Sequence, residues 1–252
     1  MNIKYITCSD PRNHNSLDDL FGLWQISDRV ELAVQMHAGK VSPETDRYKW
    51  VRALVDRLTD DMCPYNFAMH INGEWCHSVC NGKIPDALKE FFDTQYKFNH
   101  IPMPTVRRIQ LNMPRETATT LNPYVLKGLI ESFPTQQFII QYNDKTKDAV
   151  KKLNETGTQF TALYDASGGN GISPDAWRGP VFDSGATGYS GGMSPENVAD
   201  NLTKISAVVP ASRDIWIDAE GKLKTDNKFD IARARQYIQN AESWIAQNGK
   251  QR

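Results

Sequence analysis

The sequence lacks any apolar run long enough to cross a membrane. No stretch approaches the roughly 20 consecutive apolar residues that a membrane-spanning helix needs. It also lacks a dense block of lysine and arginine, and the formal net charge of its 252 residues is −1. Proteins that bind nucleic acid usually carry a strongly basic face. We therefore expect neither a membrane nor a nucleic acid as a partner.

Cysteine is also scarce, with four residues in the chain. Cys8, Cys63, Cys76 and Cys80 show no paired framework, and a domain of this size needs no disulfide staples. Cys76 and Cys80 are four residues apart but lack the second matched pair that a structural zinc site would have. The first ten residues have the pattern of a strand and contain no export signal. We expect free thiols, no metal, no cofactor and a cytoplasmic location.

What the sequence does contain is an alternation of short β-rich segments and longer segments of helical period. Hydrophobic residues make up 40% and charged residues 23%, which suits a soluble domain with a large core. Most of the predicted strands end on a polar residue. The eight predicted strands are Ile3–Cys8, Glu31–His37, Asn66–Asn72, Arg108–Asn112, Gln137–Tyr142, Gln159–Asp165, Thr187–Ser190 and Asp214–Asp218.

Helical segments lie between these strands. Ser-Pro-Glu at residues 42–44 predicts a helix start, with an N-cap, a proline at the first helical position and an acid in the first turn. The same triplet at residues 194–196 predicts another start. Apolar residues from Ile231 to Ile245 recur at helical spacing. Residues 166–186 are rich in Gly, Ser, Pro and Asp instead, so most of one helix is expected to be missing there. Between Trp75 and Val106 we expect a loop and then one helix around Ala87–Phe92.

Strands that alternate with helices imply parallel pairing and right-handed crossovers. Eight such units in about 250 residues suit a closed barrel. We predict an α/β fold: a single (β/α)8 TIM barrel domain over residues 1–252, parallel and eight-stranded, with a degenerate helix after strand six. An open doubly wound sheet is the alternative. Against it, the loop at residues 9–14 contains no Gly-x-Gly-x-x-Gly turn for a dinucleotide.

Several segments resemble the phosphoribosylanthranilate isomerases, which are barrels of tryptophan biosynthesis. Ile6–Ser9 is similar to the Lys-Ile-Cys-Gly of the family's first strand, Phe67–Asn72 to its third strand, and Ile109–Asn112 to its Val-Gln-Leu-His strand. Asp165–Gly171 resembles the family's Asp followed by Gly-Gly-Thr-Gly. Ser190–Val198 resembles its Ala-Gly-Gly-Leu-Asn-Pro-Glu-Asn-Val. The resemblance runs along nearly the whole chain.

This resemblance implies an aldose–ketose isomerase that performs an Amadori rearrangement of an N-linked ribose phosphate by general acid–base catalysis. It implies Cys8 as the general base and Asp165 as the general acid. A carboxyl can donate a proton if burial raises its pKa, and a thiolate is competent where positive neighbours lower the pKa of the thiol. Taken without the family, Cys8 has the features of a small buried apolar residue, which is the commonest environment of a free cysteine. The implied partner is a phosphorylated small molecule, and the chain is expected to be a monomer or a homodimer.

A phosphate site is predicted after strand seven. Gly191 and Gly192 precede a predicted helix start, where backbone N–H groups and the helix dipole favour an anion. Gly221, after the last strand, is predicted to contribute as well. Polar residues at the other strand ends are expected to bind the rest of the substrate. These are His37, Lys40, His70, Asn72, Gln110, Asn112, Asp218 and Glu220.

Two loops depart from the family pattern. The family's Ser-Pro-Arg, which holds a carboxylate, is replaced by Ser-Pro-Glu at residues 42–44, leaving Lys40 or Arg47 for that role. Its Ser-Ser-Gly phosphate turn is replaced by Asp-Ala-Glu-Gly at residues 218–221, where Lys222 or Lys224 would have to offset the carboxylates. Two other functions therefore stay open. One is a divergent barrel enzyme, such as a metal-assisted epimerase or hydrolase, and the other is a non-catalytic barrel that binds a phosphate ligand.

Overall fold

The structure, a computed structural model, describes residues 1–61, 65–165, 171–183 and 185–248. Its strands are β1 (Asn2–Ser9), β2 (Val30–His37), β3 (Asn66–Asn72), β4 (Gln95–Phe98), β5 (Ile101–Pro104), β6 (Arg108–Asn112), β7 (Gln137–Tyr142), β8 (Thr161–Asp165), β9 (Thr187–Ser190), β10 (Asp214–Ala219), β11 (Lys224–Thr225) and β12 (Lys228–Phe229). Its helices are α1 (Leu17–Trp24), α2 (Asp46–Asp60), α3 (Gly73–Cys80), α4 (Asp86–Asp93), α5 (Arg115–Thr120), α6 (Pro123–Glu131), α7 (Lys147–Glu155), α8 (Val198–Val208) and α9 (Ile231–Asn248). Cys63 and residues 166–170 lie outside the described residues.

Eight strands form a closed barrel in the order β1, β10, β9, β8, β7, β6, β3 and β2. The predicted (β/α)8 barrel is therefore confirmed, and the open sheet is wrong. The strands β3, β6, β7 and β9 have the predicted bounds, and the other four barrel strands differ by one or two residues at an end. None of the helices within the described ranges combines the length and the apolar character needed to cross a membrane.

Contacts divide the chain into two compact units, and each is described by itself. The first unit is Met1–Leu32 with Ala162–Arg252, and it holds β1, β9 and β10 with the helices α1, α8 and α9. The second unit is Ala33–Thr161, and it holds β3, β6 and β7 with the helices α2 to α7 and the hairpin of β4 and β5.

Both Ser-Pro-Glu triplets precede their helices by a turn, so the predicted helix starts are wrong by about three residues. The N-cap of α2 is Thr45, whose side chain accepts a hydrogen bond from the N–H of Tyr48 and donates one to the carbonyl of Ser42 at 2.8 Å. Before α8, Asn197 accepts a hydrogen bond from the N–H of Ser194 at 2.8 Å. A side chain that bonds its own local backbone stabilises a turn, and the helix begins only after it.

The helix expected between β8 and β9 is absent from the residues described there, 171–183 and 185–186, as predicted. Trp177 from this segment packs against Tyr164 and Tyr189, with ring centroids 6.3 and 5.7 Å away. Its indole N–H donates to the side chain of Asn201 on α8 at 3.2 Å. Because Trp177 is only 4% exposed, it anchors the segment by packing and does not stack on a ligand.

The chain after β3 is more ordered than its sequence suggested. We expected a loop followed by one helix between Trp75 and Val106. The structure has α3 directly after β3, then α4, then the hairpin of β4 and β5. Gly73 starts α3 with a φ of 57°, a backbone conformation that glycine adopts without strain. This left-handed turn lets a helix follow a strand with no connecting loop.

Candidate active site

Four strands of the first unit bring polar side chains into one row. In the strand register Thr7 pairs with Asp218, Asp218 with Ser190, and Ser190 with Asp165. Residues paired in this way on parallel strands point to the same face of the sheet. Because the tyrosines that alternate with this row pack toward α8, the row faces away from the helices and into the barrel.

Short hydrogen bonds from hydroxyl groups fix two carboxyls in this unit. The hydroxyl of Thr7 donates to Glu31 at 2.8 Å, and the hydroxyl of Ser9 donates to Asp218 at 2.6 Å. Glu31 is 1% exposed, Asp165 3% and Asp218 7%. Glu31 and Thr7 were not among the predicted site residues. The available signal was a charged residue inside the apolar run of β2, where a carboxylate needs hydrogen-bond donors.

Asp218 has the proton affinity of a group that can exchange a proton near neutral pH. Burial raises its pKa to about 7, and the nearby carboxylates of Glu220, Glu31 and Asp165 add to the rise, against the hydrogen bond from Ser9. Both protonation states are therefore populated near pH 7. A group with this property is suited to general acid–base catalysis.

Cys8 does not join this row. It pairs in register with Ala219, so its side chain lies on the opposite face of the sheet from Thr7 and Asp218. Burial raises the pKa of its thiol well above the usual value, and the nearby Asp218 and Glu31 raise it further. The predicted base role required positive neighbours that would lower this pKa. The raised pKa opposes a thiolate and the orientation sets Cys8 apart from the row, so its base role stays a prediction that the geometry does not support.

An ion network joins the loops that follow β1 and β10. Asp10 is 2% exposed and accepts hydrogen bonds from the guanidinium of Arg12 at 2.6 Å and from the ammonium of Lys224 at 2.8 Å. Burial alone would raise the pKa of Asp10, but these two cations hold it below its ordinary value. Lys224 also donates to Glu220 at 3.1 Å. It is thus the cation expected in this loop, and it offsets two carboxylates, while Lys222 is exposed.

The predicted phosphate loop has a defined shape but not the expected helix. Gly191 and Gly192 have φ values of 121° and 60°, which favour glycine. A Cβ on Gly192 would lie 2.4 Å from the backbone nitrogen of Ser173, so the backbone approaches closely there. The helix N-terminus is displaced to Val198. Gly221 is exposed in open space at the start of a short 3-10 helix. Phosphate binding at these glycines stays a prediction.

The second unit holds a separate cluster of uncharged polar side chains. His70 and Asn72 on β3 pair in register with Gln110 and Asn112 on β6, and Gln35 on β2 completes the group. Hydrogen bonds link Asn112 to Asn72 at 2.9 Å, Asn72 to Gln35 at 2.6 Å, and Gln110 to Asn112 at 2.8 Å. Both glutamines contact Nδ1 of His70, at 3.3 and 3.4 Å, which closes the ring of side chains.

One backbone carbonyl determines the direction of every hydrogen bond in this ring. The side-chain nitrogen of Asn72 donates to the carbonyl of His70 at 2.8 Å, so the amide orientation of Asn72 is fixed. The hydrogen bonds of Asn72 to Gln35 and Asn112 then fix the orientation of those two amides, and Asn112 fixes that of Gln110. Gln35 and Gln110 therefore both direct their NH2 groups at Nδ1 of His70. That nitrogen must accept, so the imidazole carries its proton on Nε2. The predicted residues His70, Asn72, Gln110 and Asn112 are therefore together, with Gln35 among them.

The other residues predicted to bind substrate lie nearer the surface. His37 is half-buried at the end of β2, and its carbonyl accepts a hydrogen bond from the N–H of Lys40 at 3.3 Å. Lys40 is exposed in the turn that follows. The guanidinium of Arg47 lies 5.0 Å from the ring centroid of Trp50. Cys76 and Cys80 lie on one face of α3 with their sulfur atoms 4.0 Å apart. Across the described ranges, no group of three or more His, Cys, Asp or Glu is arranged to hold a metal ion.

Solved structures share this architecture at low sequence identity. N-(5'-phosphoribosyl)anthranilate isomerase from Pyrococcus furiosus matches with a TM-score of 0.52 and 11% identity, over 95% of this chain and 98% of that one. Two structures of KGPDC from Streptococcus mutans match with a TM-score of 0.45, at 11% and 13% identity, over the same shares. No protein-family model and no curated protein sequence matches the chain. The similarity to the Pyrococcus furiosus structure shows the barrel fold and leaves the isomerase family an expectation.

Proposed function

We propose that the first unit carries the active site of an enzyme that isomerises a phosphorylated sugar by general acid–base catalysis. The reaction class is the aldose–ketose rearrangement of an N-linked ribose phosphate, as the sequence resemblance implies. The observation that carries the proposal is the buried carboxyl of Asp218, with its pKa of about 7, in one row with Asp165. Two carboxyls whose environments differ can divide the acid and base roles between them.

Up to the enolamine, this rearrangement needs two proton transfers. One places a proton on the ring oxygen of the sugar, which breaks its bond to C1 and opens the ring. The other removes a proton from C2, and the resulting enolamine becomes the ketose when C1 gains a proton and the C2 hydroxyl loses one. Asp165 and Asp218 divide these two transfers between them, and Asp218 replaces Cys8 as the second proton-transfer group. The two residues are separated by Ser190 on the strand between them, so their Cα atoms are roughly 10 Å apart. At this spacing the two carboxyls can reach different atoms of one small substrate.

The phosphate would lie at the loop that follows Ser190. Gly191 and Gly192 adopt conformations that allow backbone N–H groups to approach an anion closely. Because this loop continues β9, it is adjacent in sequence to the row that contains both carboxyls. A phosphate bound here would hold the sugar over Asp165 and Asp218. This loop follows β9, which is the seventh strand of the barrel in chain order, and barrels often bind phosphate there.

The test is turnover of phosphoribosylanthranilate, followed by the loss of anthranilate fluorescence. We expect Asp218→Asn and Asp165→Asn each to lower kcat by about 10²- to 10⁴-fold, because each removes one proton-transfer group. The matched control is Cys8→Ser, which changes a buried group on the opposite face and should keep kcat within a few-fold. The ionisation near pH 7 in the kcat/KM profile should disappear in Asp218→Asn.

Two results would contradict the proposal. If Cys8→Ser loses activity while Asp218→Asn keeps it, the base is the thiol. If the wild-type chain binds phosphoribosylanthranilate without turnover, the protein is a phosphate-ligand-binding barrel and not an isomerase of this substrate.

A further inference from the structure

A groove of about 680 Å³ lies in the helix layer of the second unit, between α4 and α6. Val125, Gly128 and Leu129 of α6 line one wall at helical spacing, and Ser132 and Phe133, directly after α6, extend it. A stripe of this kind normally faces a neighbouring element. Here Leu129 is buried, but Val125, Gly128 and Ser132 are exposed, so the groove is a candidate surface for packing against another helix.

The exposed side of α6 carries large side chains near its N-terminus and small ones toward its C-terminus. Tyr124 is 71% exposed and Val125 40% exposed near the N-terminus. Gly128 and Ser132 follow Tyr124 at steps of four residues, so the three lie in one ridge line about 12 Å long. A Cβ added to Gly128 would meet no atom within 4 Å, so the space above it is empty. If a second copy of α6 packs antiparallel on the first, Tyr124 of each copy therefore lies over Gly128 and Ser132 of the other.

The charges on the rim of the groove sum to zero. Lys83, Lys89, Asp86 and Asp93 line it, and none of them forms an ion pair with any other residue that the structure describes. A rim of one sign would repel a second copy of itself and attract a partner of opposite charge. A rim with both signs in equal number can pair with its own two-fold image, as a symmetric dimer interface requires.

We propose that this groove is the interface of a two-fold symmetric dimer, in which the α6 helices of two copies pack antiparallel. Tyr124 of each copy fills the space above Gly128 and Ser132 of the other. The lysines and aspartates of the rim then face their counterparts across the dimer axis. The proposal concerns the second unit only and does not depend on the reaction assigned to the first.

Sedimentation velocity over a range of protein concentrations tests this interface. We expect the wild-type chain to dimerise, and Tyr124→Ala to raise the dimer Kd by at least about tenfold, because aromatic anchors dominate such interfaces. Gly128→Gln should have the same effect by filling the hollow. It also replaces glycine within a helix, which favours the folded monomer, so weaker dimerisation cannot be attributed to misfolding. The matched control is Phe98→Ala, which removes a 44% exposed aromatic residue of the hairpin and should leave the dimer Kd unchanged.

A wild-type chain that stays monomeric up to its solubility limit would overturn the proposal. So would a Gly128→Gln variant that dimerises as tightly as the wild type. If Phe98→Ala weakens the dimer and Tyr124→Ala does not, the copies meet at the hairpin and not at α6.

Discussion

The two polar clusters lie on strands of one barrel, yet they handle protons in opposite ways. In the first unit, Asp165, Asp218 and Glu31 are buried carboxyls whose mutual repulsion adds to the effect of burial and raises the pKa of Asp218 to about 7. In the second unit, His70 is surrounded by amides, and a backbone carbonyl determines which of its ring nitrogens carries the proton. The carboxyl of Asp218 in the first cluster can exchange its proton near neutral pH. In the second cluster, the hydrogen bonds fix which ring nitrogen of His70 carries the proton.

This difference follows from the residue types at equivalent positions. Carboxyls can lose or share a proton, and burying several together makes the shared state favourable. Amides do not titrate, so a ring of amides around an imidazole only orients it. The comparison assigns proton transfer to the first unit and orientation of a neutral group to the second. The predictions below address each side of that contrast.

The largest expected effect is on the pH dependence of stability through Asp218. In the unfolded chain an aspartate has a pKa of about 3.9, and in the folded protein burial raises it to about 7. Between these values the folded state binds more protons than the unfolded state, so the free energy of unfolding falls as pH rises from about 4 to about 7. The loss from this residue is at most about 4 kcal/mol. Urea denaturation at pH 5 and pH 8 measures the part of this loss that falls above pH 5, about 3 kcal/mol.

The Asp218→Asn variant is the control for this pH dependence of the free energy of unfolding. It should be less sensitive to pH between 5 and 8, because the amide cannot titrate. Asp10 contributes the opposite dependence at lower pH, since its pKa is lowered and its stabilisation is lost as pH falls below about 4. Parallel pH curves for the variant and the wild type would show that Asp218 carries no raised pKa.

A matched pair of glycine substitutions compares the packing of the two units. A Cβ at Gly188 would lie 2.3 Å from ring atoms of Trp216 and 2.6 Å from Leu163, directly below the carboxyl row. Gly188→Ala should therefore destabilise the protein by about 3 kcal/mol through overpacking. Gly128→Ala on α6 meets no atom of its own chain and, at a protein concentration where the chain is monomeric, should stabilise it by up to about 1 kcal/mol. Thermal denaturation should lower the Tm for the first and raise it for the second, and equal shifts would refute the contrast.

The smallest expected effect concerns the amide ring of the second unit. Gln35→Leu removes one acceptor of the Asn72 amide, which keeps the carbonyl of His70, and one donor to His70. Losing these part-buried hydrogen bonds costs about 1 kcal/mol, which urea denaturation would detect. The control is Gln239→Leu on the exposed face of α9, where the change should stay within about 0.5 kcal/mol. Nitrogen NMR of the wild type should show His70 protonated on Nε2, and a proton on Nδ1 would contradict the ring.

Much of the fold was predictable because strand alternation is a local property. The bounds of β3, β6, β7 and β9 followed from short β-rich runs between turn residues. Helix starts were less predictable, since Ser, Thr and Asn can all cap a helix and the choice depends on which side chain reaches the backbone. Thr45 provides the cap of α2, and Ser42 lies in the preceding turn.

The positions of the polar residues at the strand ends followed from the predicted strand bounds, but their grouping into clusters did not. Whether a residue faces into the barrel or toward the helices depends on strand register and on a one-residue alternation. Cys8 lies on the opposite face from Thr7 and Asp218 for this reason. Glu31 was missed because an apolar strand gave no sign of the hydroxyl that would bond it.

The sequence by itself determined the alternation of strands and helices, the missing helix after β8 and the polar character of the strand ends. Each of these depends on residues that are close together in the chain. Only the tertiary structure decided that Asp218 lies in one row with Asp165, with Glu31 close enough to raise its pKa, and that Gln35 joins His70 in a ring. These contacts join residues far apart in the chain, and burial together with charge repulsion gives Asp218 a proton affinity that no local pattern encodes.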